Sequence, residues 1–320
     1  MSSNFIYHIS TVRRHLNLFW ALSRTPHGLI DMTTPALAAL LCLGHFPPLS
    51  IVLIGLITVF AGYTSVYAIN DLVDYRADKE KVRMGGYDDS ENYLDGVLVR
   101  HPLAKGVLSF WHGLVWGVGW ALVALLGAYL LNPVCMYIFL AGCVFEIIYC
   151  LLLRVSPLRT LVHGVVKSCG PLAAVYAVNP TPPVLFLASI FLWIFFWEIG
   201  GQNIPADWTD IEEDRYFKAE TVPVKLGPKK AGLLCVITLL IAMFLNVLVF
   251  WASPMTFSLF YFLSALGINF YLLQWPSLSL AKTLKREKAM ALFNRASYYP
   301  MAIFGLVLIR ILEQSIRLHL

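Results

Sequence analysis

The chain has 320 residues, 58% of them hydrophobic and 13% charged, with a formal net charge of +5. A soluble domain of this size carries about a quarter charged residues; with a mean hydropathy of +0.70 the composition excludes that class and points to a polytopic membrane protein. So small a net charge gives no reason to expect a nucleic-acid partner.

Residues 1–26 mix apolar side chains with Arg13, Arg14 and Arg24, the pattern of an interfacial amphipathic segment and not of a cleavable signal peptide. Nine apolar stretches then approach the roughly 20 residues that a spanning helix needs. They run over 27–46, 49–69, 107–131, 133–153, 161–179, 182–203, 231–252, 255–275 and 299–316. The expected fold is an all-α membrane bundle of nine transmembrane helices, with helical caps in the long connectors, acting as one domain over 1–320. Connectors after the odd-numbered helices are short and hold no Lys or Arg. The N-terminal segment and the connectors after the even-numbered helices hold 21 of the 24 basic residues. The positive-inside rule therefore puts the N-terminus and the long connectors in the cytoplasm and the C-terminus outside. The six cysteines lie singly in apolar segments, as small buried hydrophobes.

The acids are as unevenly placed as the bases. Eight of the 19 lie between Asp71 and Asp95 and six between Asp207 and Glu220, in connectors 70–106 and 203–230. Asp71, Asp74 and Asp78 repeat the spacing of Asp207, Asp210 and Asp214. On a helix those offsets share one face. Asn70 and Asn203 lie four residues before Asp74 and Asp207 and add a carbonyl oxygen to each set. A single acidic helix end is often only a solvated cap, but two with one spacing are not, since crowded carboxylates repel and need a counter-charge. Mg²⁺ supplies it with oxygen ligands and leaves room for substrate phosphate. Basic side chains near the clusters, Lys79, Lys81, Arg83, Arg100, Lys105, Arg215 and Lys218, are candidates for binding a diphosphate.

These residues resemble the UbiA superfamily of intramembrane prenyltransferases. The stretch "NDLVDYRAD" matches that family's NDxxDxxxD motif after helix two. "DWTDIEED", followed by "AETVPVKLG", matches its second motif after helix six. "VRHPLAKGVLS" is similar to the stretch before helix three, with His101 where the family usually has Arg. "SRTPHGLIDMTTPALAAL" resembles its first helix and "SPLR" its connector after helix four. Two departures stand out: the connector 79–99 is long, and helix five carries His163 and Lys167 where the family more often shows Asn and small residues.

The resemblance implies Mg²⁺-dependent ionisation of an allylic prenyl diphosphate and transfer of the isoprenoid chain to a small acceptor, expected to be an aromatic quinone precursor. It implies Asp71, Asp74, Asp78, Asp207, Asp210 and Asp214 as the catalytic metal ligands together with Asn70 and Asn203. Asn70 and Asn203 also join Lys81, Arg83, Arg100, Lys105, Arg215 and Lys218 at the diphosphate. Arg24, Arg159, His163 and Lys167 are acceptor-side candidates. Alternatives within the fold are lipid synthesis of the geranylgeranylglyceryl phosphate type, terpene cyclisation and phosphoribosyl transfer. A divalent-cation transporter is the alternative outside it, although transporters place their ligands near the midplane. The DGxxAR signature of CDP-alcohol phosphotransferases is absent. Of the ionisable residues inside spans, Glu146 and Lys167 are expected to pair with each other and Glu198 to support the second acidic cluster, while His163 is expected as a hydrogen-bonded packing residue and not a base. Pro205 should interrupt its helix. Trp193, Phe195, Phe196 and Trp197 are expected mostly to pack.

Overall fold

Proline and glycine decide where the long apolar helices start, widen and stop. The computed structural model describes residues 16–85 and 98–319. Expectations for residues 1–15 of the N-terminal segment and for 86–97 of the long connector lie outside the described residues.

Residues 16–22 are helical. The first span joins α1, Thr25–Asp31, to α2, Thr33–Leu43, and stops at Gly44 with φ +77°, the left-handed end that glycine adopts without a Cβ penalty. Next come α3, Leu49–Val73, and α4, Tyr75–Arg83. Helix α5, Phe110–Leu131, is capped by Ser109, whose Oγ accepts from His112 N at 3.3 Å. Helix α6, Pro133–Leu151, starts with Asn132 Oδ1 accepting from Val134 N at 2.9 Å and with proline at its first position, where the missing N–H costs nothing. Helix α7 is Arg159–Val178 and α8 is Val184–Trp197.

The sixth span then widens into a π turn, Glu198–Asn203, before α9, Ile204–Thr209, and α10, Ile211–Tyr216. Pro205 does not end the helix here. It cannot donate to residue 201 and its ring crowds that carbonyl, so the preceding turn takes the wider register. The same device recurs in α13, Leu259–Asn269, where the π turn Phe270–Gln274 precedes Pro276 of α14, Trp275–Thr283. Gly200 and Gly201 allow the first π turn to pack closely. A Cβ at Gly200 would fall 2.1 Å from Thr238 Oγ1, and one at Gly201 would fall 2.9 Å from Ala296 Cβ. The remaining helices are α11, Val222–Leu226, α12, Pro228–Ala252, and α15, Arg286–His319.

Among the described residues, eight helical runs are long and apolar enough to cross a membrane. The eighth expected span, 255–275, is helical too, over α13, the π turn and the start of α14, but it carries buried Asn269 and Gln274 and is not among those eight. The chain is thus an all-helical, multi-pass membrane protein. Helix α3 packs chiefly on α5, α6 on α7, α8 on α12 and α2 on α7. Trp193 and Trp197 are core residues, donating to Tyr299 OH at 3.0 Å and Ala296 O at 3.1 Å, with Phe195 and Phe196 packed against the same cluster. None of the four lines the cavity described next.

Candidate active site

Both acidic motifs fold in the same way. In each, the middle aspartate interrupts the helix and becomes the residue before a new short one. Asp74 precedes α4 and Asp210 precedes α10. The third aspartate then donates its N–H back to the middle one's carbonyl, Asp78 to Asp74 at 2.9 Å and Asp214 to Asp210 at 2.8 Å. Asp78 and Asp214 therefore sit in the first turn of a helix, where exposed N–H groups and the dipole favour negative charge. Asp71, in the last turn of α3, has no such helix N-terminus to favour its charge.

All six aspartates, with Asn70 and Asn203, line one cavity of about 530 Å³. Each of five aspartates faces a cation. Asp71 Oδ1 lies 3.4 Å from both Arg24 Nη2 and His101 Nδ1, and Asp78 Oδ2 lies 2.9 Å from His101 Nδ1. Lys81 Nζ reaches Asp214 Oδ1 at 3.1 Å, Arg100 Nη2 reaches Asp210 Oδ2 at 3.4 Å, and Arg159 Nη1 reaches Asp207 Oδ1 at 3.4 Å. Arg159 also lies 4.0 Å from the Tyr149 ring centroid, and Asn203 Nδ2 donates to Tyr149 OH at 3.2 Å. Arg24 (φ 43°) and His101 (φ 49°) occupy left-handed backbone, a strain of order 1–3 kcal/mol each at two residues that both hold Asp71.

The electrostatics follow from this crowding. Burial, then the neighbouring Asp78 charge, pushes the Asp74 carboxyl up to about 6. Burial likewise raises Asp214, against the opposing pull of Lys81. Burial alone would lower Lys81, but the carboxylates of Asp214, Asp210 and Asp78 outweigh it and raise the lysine. His101 rises to about 9 because Asp78 and Asp71 overcome its burial, so it is imidazolium at neutral pH.

The donor set fits a divalent cation. It is almost wholly oxygen, as hard cations require. Ligand atoms of Asp71, Asp78 and His101 lie within 4.8 Å of one another. Asp207 Oδ2 and Asn203 Oδ1 are buried acceptors with no hydrogen-bond donor, a state a native structure rarely leaves uncompensated. Asp71, Asp74 and Asp78 with Asn70, and Asp207, Asp210 and Asp214 with Asn203, are the residues that would hold it.

Several sequence expectations need correction. Lys81, Arg100, Arg24, Arg159, His163 and Lys167 line the cavity, but Arg83, Lys105, Arg215 and Lys218 do not. Arg83 and Lys218 are exposed, and Arg215 pairs on the surface with Glu212 at 3.7 Å, because each projects from the outer side of a short helix or turn. Lys79 turns outward to Tyr75 OH at 3.1 Å. Lys167 does not pair with Glu146. Its Nζ lies 2.5 Å from Asp31 Oδ2, while Glu146 accepts from Asn70 Nδ2 at 2.7 Å and faces His163 Nδ1 at 3.6 Å. Glu198 faces His163 Nε2 at 3.3 Å instead of the second acidic cluster. His163 thus packs on the Tyr149 ring between two carboxylates. His101 entered the sequence reading only as a departure from a pattern. Its role came from the turn at 100–106, which no periodicity announces.

Below the acids the cavity turns apolar and follows one face of α3, through Tyr67, Tyr63, Val59, Gly55 and Val52, to Pro47 and Phe46 at the other end. Those positions recur every three or four residues, the helical face period. Ala173, Ala177 and Phe139 close it from α7 and α6.

The model described as the UbiA prenyltransferase family matches residues 32–298. Digeranylgeranylglyceryl phosphate synthase of Thermococcus sibiricus is 28% identical over 236 residues, covering 72% of this chain and 77% of that protein. The protein of the same name from Methanosarcina mazei is 30% identical over 196 residues, covering 55% and 60%. A solved UbiA homologue from Aeropyrum pernix K1 superposes with TM-score 0.68 at 18% identity, covering 88% of this chain and 97% of that one. A homologue from Archaeoglobus fulgidus bound to DMAPP and Mg²⁺ gives TM-score 0.60 at 16% identity, covering 90% and 99%. At these identities the two structures attest to the fold.

Proposed function

Because the chain belongs to the UbiA prenyltransferase family and is a prenyltransferase, we propose that its acidic mouth binds Mg²⁺ with an allylic prenyl diphosphate and that the apolar cavity below holds the prenyl tail. The observation that carries this reading is one cavity lined at one end by six aspartates and by hydrocarbon along the rest. When bound, Mg²⁺ would neutralise and polarise the leaving diphosphate. Lys81, Arg100, Arg24 and Arg159, now on the aspartates, are placed to turn to diphosphate oxygens, where fixed positive charge favours the charge that develops on departure. The apolar lining disfavours water around the allylic cation.

The acceptor of this reading is a lipid-like molecule with a free hydroxyl, of the glycerol phosphate type. Its support is the shared name of the two sequence relatives. The aromatic quinone precursor is the second reading. A wall of rings favours it: His27 stacks on Phe293 with centroids 5.6 Å apart, and Tyr63 on Tyr67 at 6.4 Å, all four facing the cavity. In this reading the mouth faces the cytoplasm, which the basic connectors support, and the whole chain acts as one catalytic unit.

Purified protein in lipid nanodiscs, given Mg²⁺ and geranylgeranyl diphosphate, tests the reading. An alkylglycerol phosphate and 4-hydroxybenzoate are supplied in separate reactions, and products are read by mass spectrometry. A prenyl ether of the glycerol phosphate is expected. Prenylation of the benzoate alone would replace the first acceptor by the second. No diphosphate release with either would refute the reading.

A further inference from the structure

A second polar layer lies in the wall of the same cavity, roughly one helical turn deeper than Asn203. It joins four residues of the cavity lining, Glu146 of α6, His163 and Lys167 of α7 and Glu198 of the π turn, to Asp31 of α1, which does not line it. Lys167 Nζ is spent on Asp31 Oδ2, which also accepts from Tyr67 OH at 2.5 Å. Glu146 Oε1 is spent on the Asn70 amide. His163 stands between Glu198 and Glu146, its ring 4.4 Å from that of Tyr149.

The layer holds more acceptor oxygen than its own donors satisfy. Glu146 and Glu198 are each 2% exposed, and Glu146 Oε2 and Glu198 Oε2 accept no hydrogen bond. A buried carboxylate oxygen lining a cavity without a donor calls for one from a ligand. The two carboxylates are not equivalent. Glu146 is tied through Asn70 to the acidic mouth. Glu198 is held on its Oε1 side by His163 at 3.3 Å, while its Oε2 lies 3.9 Å from Lys167 Nζ, beyond hydrogen-bond range. Glu198 is therefore oriented by His163 on one side and left with a buried, unsatisfied acceptor beside the Lys167 ammonium on the other. It also lies on the same helical run as Asn203, five residues before it and about one turn from the acidic mouth.

We infer that Glu198 is a catalytic residue that binds the nucleophilic hydroxyl of the acceptor and takes its proton, with His163 as its positioning residue. The inference rests on the prenyl-transfer reading above and names the group that completes it. The bond between the allylic carbon and the diphosphate oxygen breaks, and its electron pair leaves with the diphosphate. The acceptor oxygen forms the new bond to that carbon, and its proton passes to Glu198 Oε2. Water reaching the cation instead would give the free prenyl alcohol, so a correctly placed acceptor hydroxyl also protects the intermediate.

The test separates ionisation from capture. Wild type, Glu198→Gln and Glu198→Asp are assayed in nanodiscs with Mg²⁺, geranylgeranyl diphosphate and an alkylglycerol phosphate. Diphosphate, prenyl alcohol and prenyl ether are measured together, and donor binding is measured by titration without acceptor. General-base removal typically costs about 100- to 10,000-fold. Glu198→Gln should keep the wild-type donor affinity within about threefold, lose at least about 100-fold in ether kcat and shift product towards prenyl alcohol. Glu198→Asp, which restores a carboxylate, should recover part of the ether rate. A merely structural role would lower donor binding, ionisation and ether formation together in both variants, and that result overturns the inference. Wild-type ether yield in Glu198→Gln overturns it as well, as does prenylation only at carbon by the wild type. Absence of any diphosphate release from the wild type is the distinct signature of failure of the function reading, and the inference falls with it.

Discussion

Substituting Gly55 by Phe should shorten the donor tail that the enzyme accepts. Gly55 lines the cavity, and a Cβ built there meets nothing within 4 Å, so a large side chain has room to enter it. From Asp71 to Gly55 is 71 − 55 = 16 residues of one helix, or about 24 Å at a rise of 1.5 Å per residue. An extended isoprene unit advances about 5 Å, from four zigzag bonds of roughly 1.5 Å. Four units therefore reach about 20 Å below the diphosphate, which brings the last unit of a geranylgeranyl chain level with Gly55. Two units, about 10 Å, end near Gly62 or above it. Expelling one five-carbon unit forfeits at most about 4 kcal/mol, at about 0.8 kcal/mol per carbon. A tail that bends aside recovers part of this, so the expected loss in kcat/KM is about 10- to 100-fold, or roughly 1.4–2.7 kcal/mol. The assay compares kcat/KM for geranyl and geranylgeranyl diphosphate with one acceptor in nanodiscs. Only the longer donor should suffer, with the shorter held within about twofold. An unchanged ratio in a folded Gly55→Phe protein would refute the placement of the tail along α3.

Asp74→Ala and Asp210→Ala should each abolish diphosphate release while leaving the melting profile of a detergent-solubilised sample intact, since both residues are partly exposed at helix breaks. EDTA should do the same to wild type, and full activity in all three would remove the metal from the reading. Lys81→Met should cost about 3–5 kcal/mol of stability, the usual result of stripping one partner from a buried pair, because Asp214 at 3.1 Å is buried with it. A melting temperature equal to wild type would show that Asp214 finds another partner. His101 is raised above its ordinary value to about 9. Its contribution to the stability of the metal-free protein is thus fully present below its ordinary value and lost as pH rises through about 9. His101→Gln should flatten that part of the pH–stability curve, and an unchanged slope would assign it elsewhere.

The residues at 100–106 show where a sequence reading runs out. "VRHPLAK" resembles the family's stretch before helix three, and by charge alone Arg100 and Lys105 are equivalent candidates. The structure turns the chain at His101 with positive φ, which directs Arg100 to Asp210 and His101 to Asp71 and Asp78 and leaves Lys105 outside the lining. A turn is a property of a few dihedral angles, and charge spacing does not encode it. The pairing of Glu146 and Lys167 failed for a related reason. Their helices are neighbours in chain order, but rotation of each helix about its axis decides which faces meet. That rotation brought Asp31, some 136 residues from Lys167, into contact instead.

What the sequence by itself determined is what depends on local pattern and on the bilayer. Twenty-residue apolar runs specify helices because lipid leaves the backbone no other partner. Basic connectors imply an orientation, and two DxxDxxxD motifs supply crowded carboxylates with a shared local shape. Only the tertiary structure decided which cations answer those carboxylates, that both motifs open into one cavity, and that three buried acids gather beneath them. Those facts rest on contacts between residues far apart in the chain, chosen by helix packing and by two proline-driven π turns. The spacing of charges along a sequence carries no record of either.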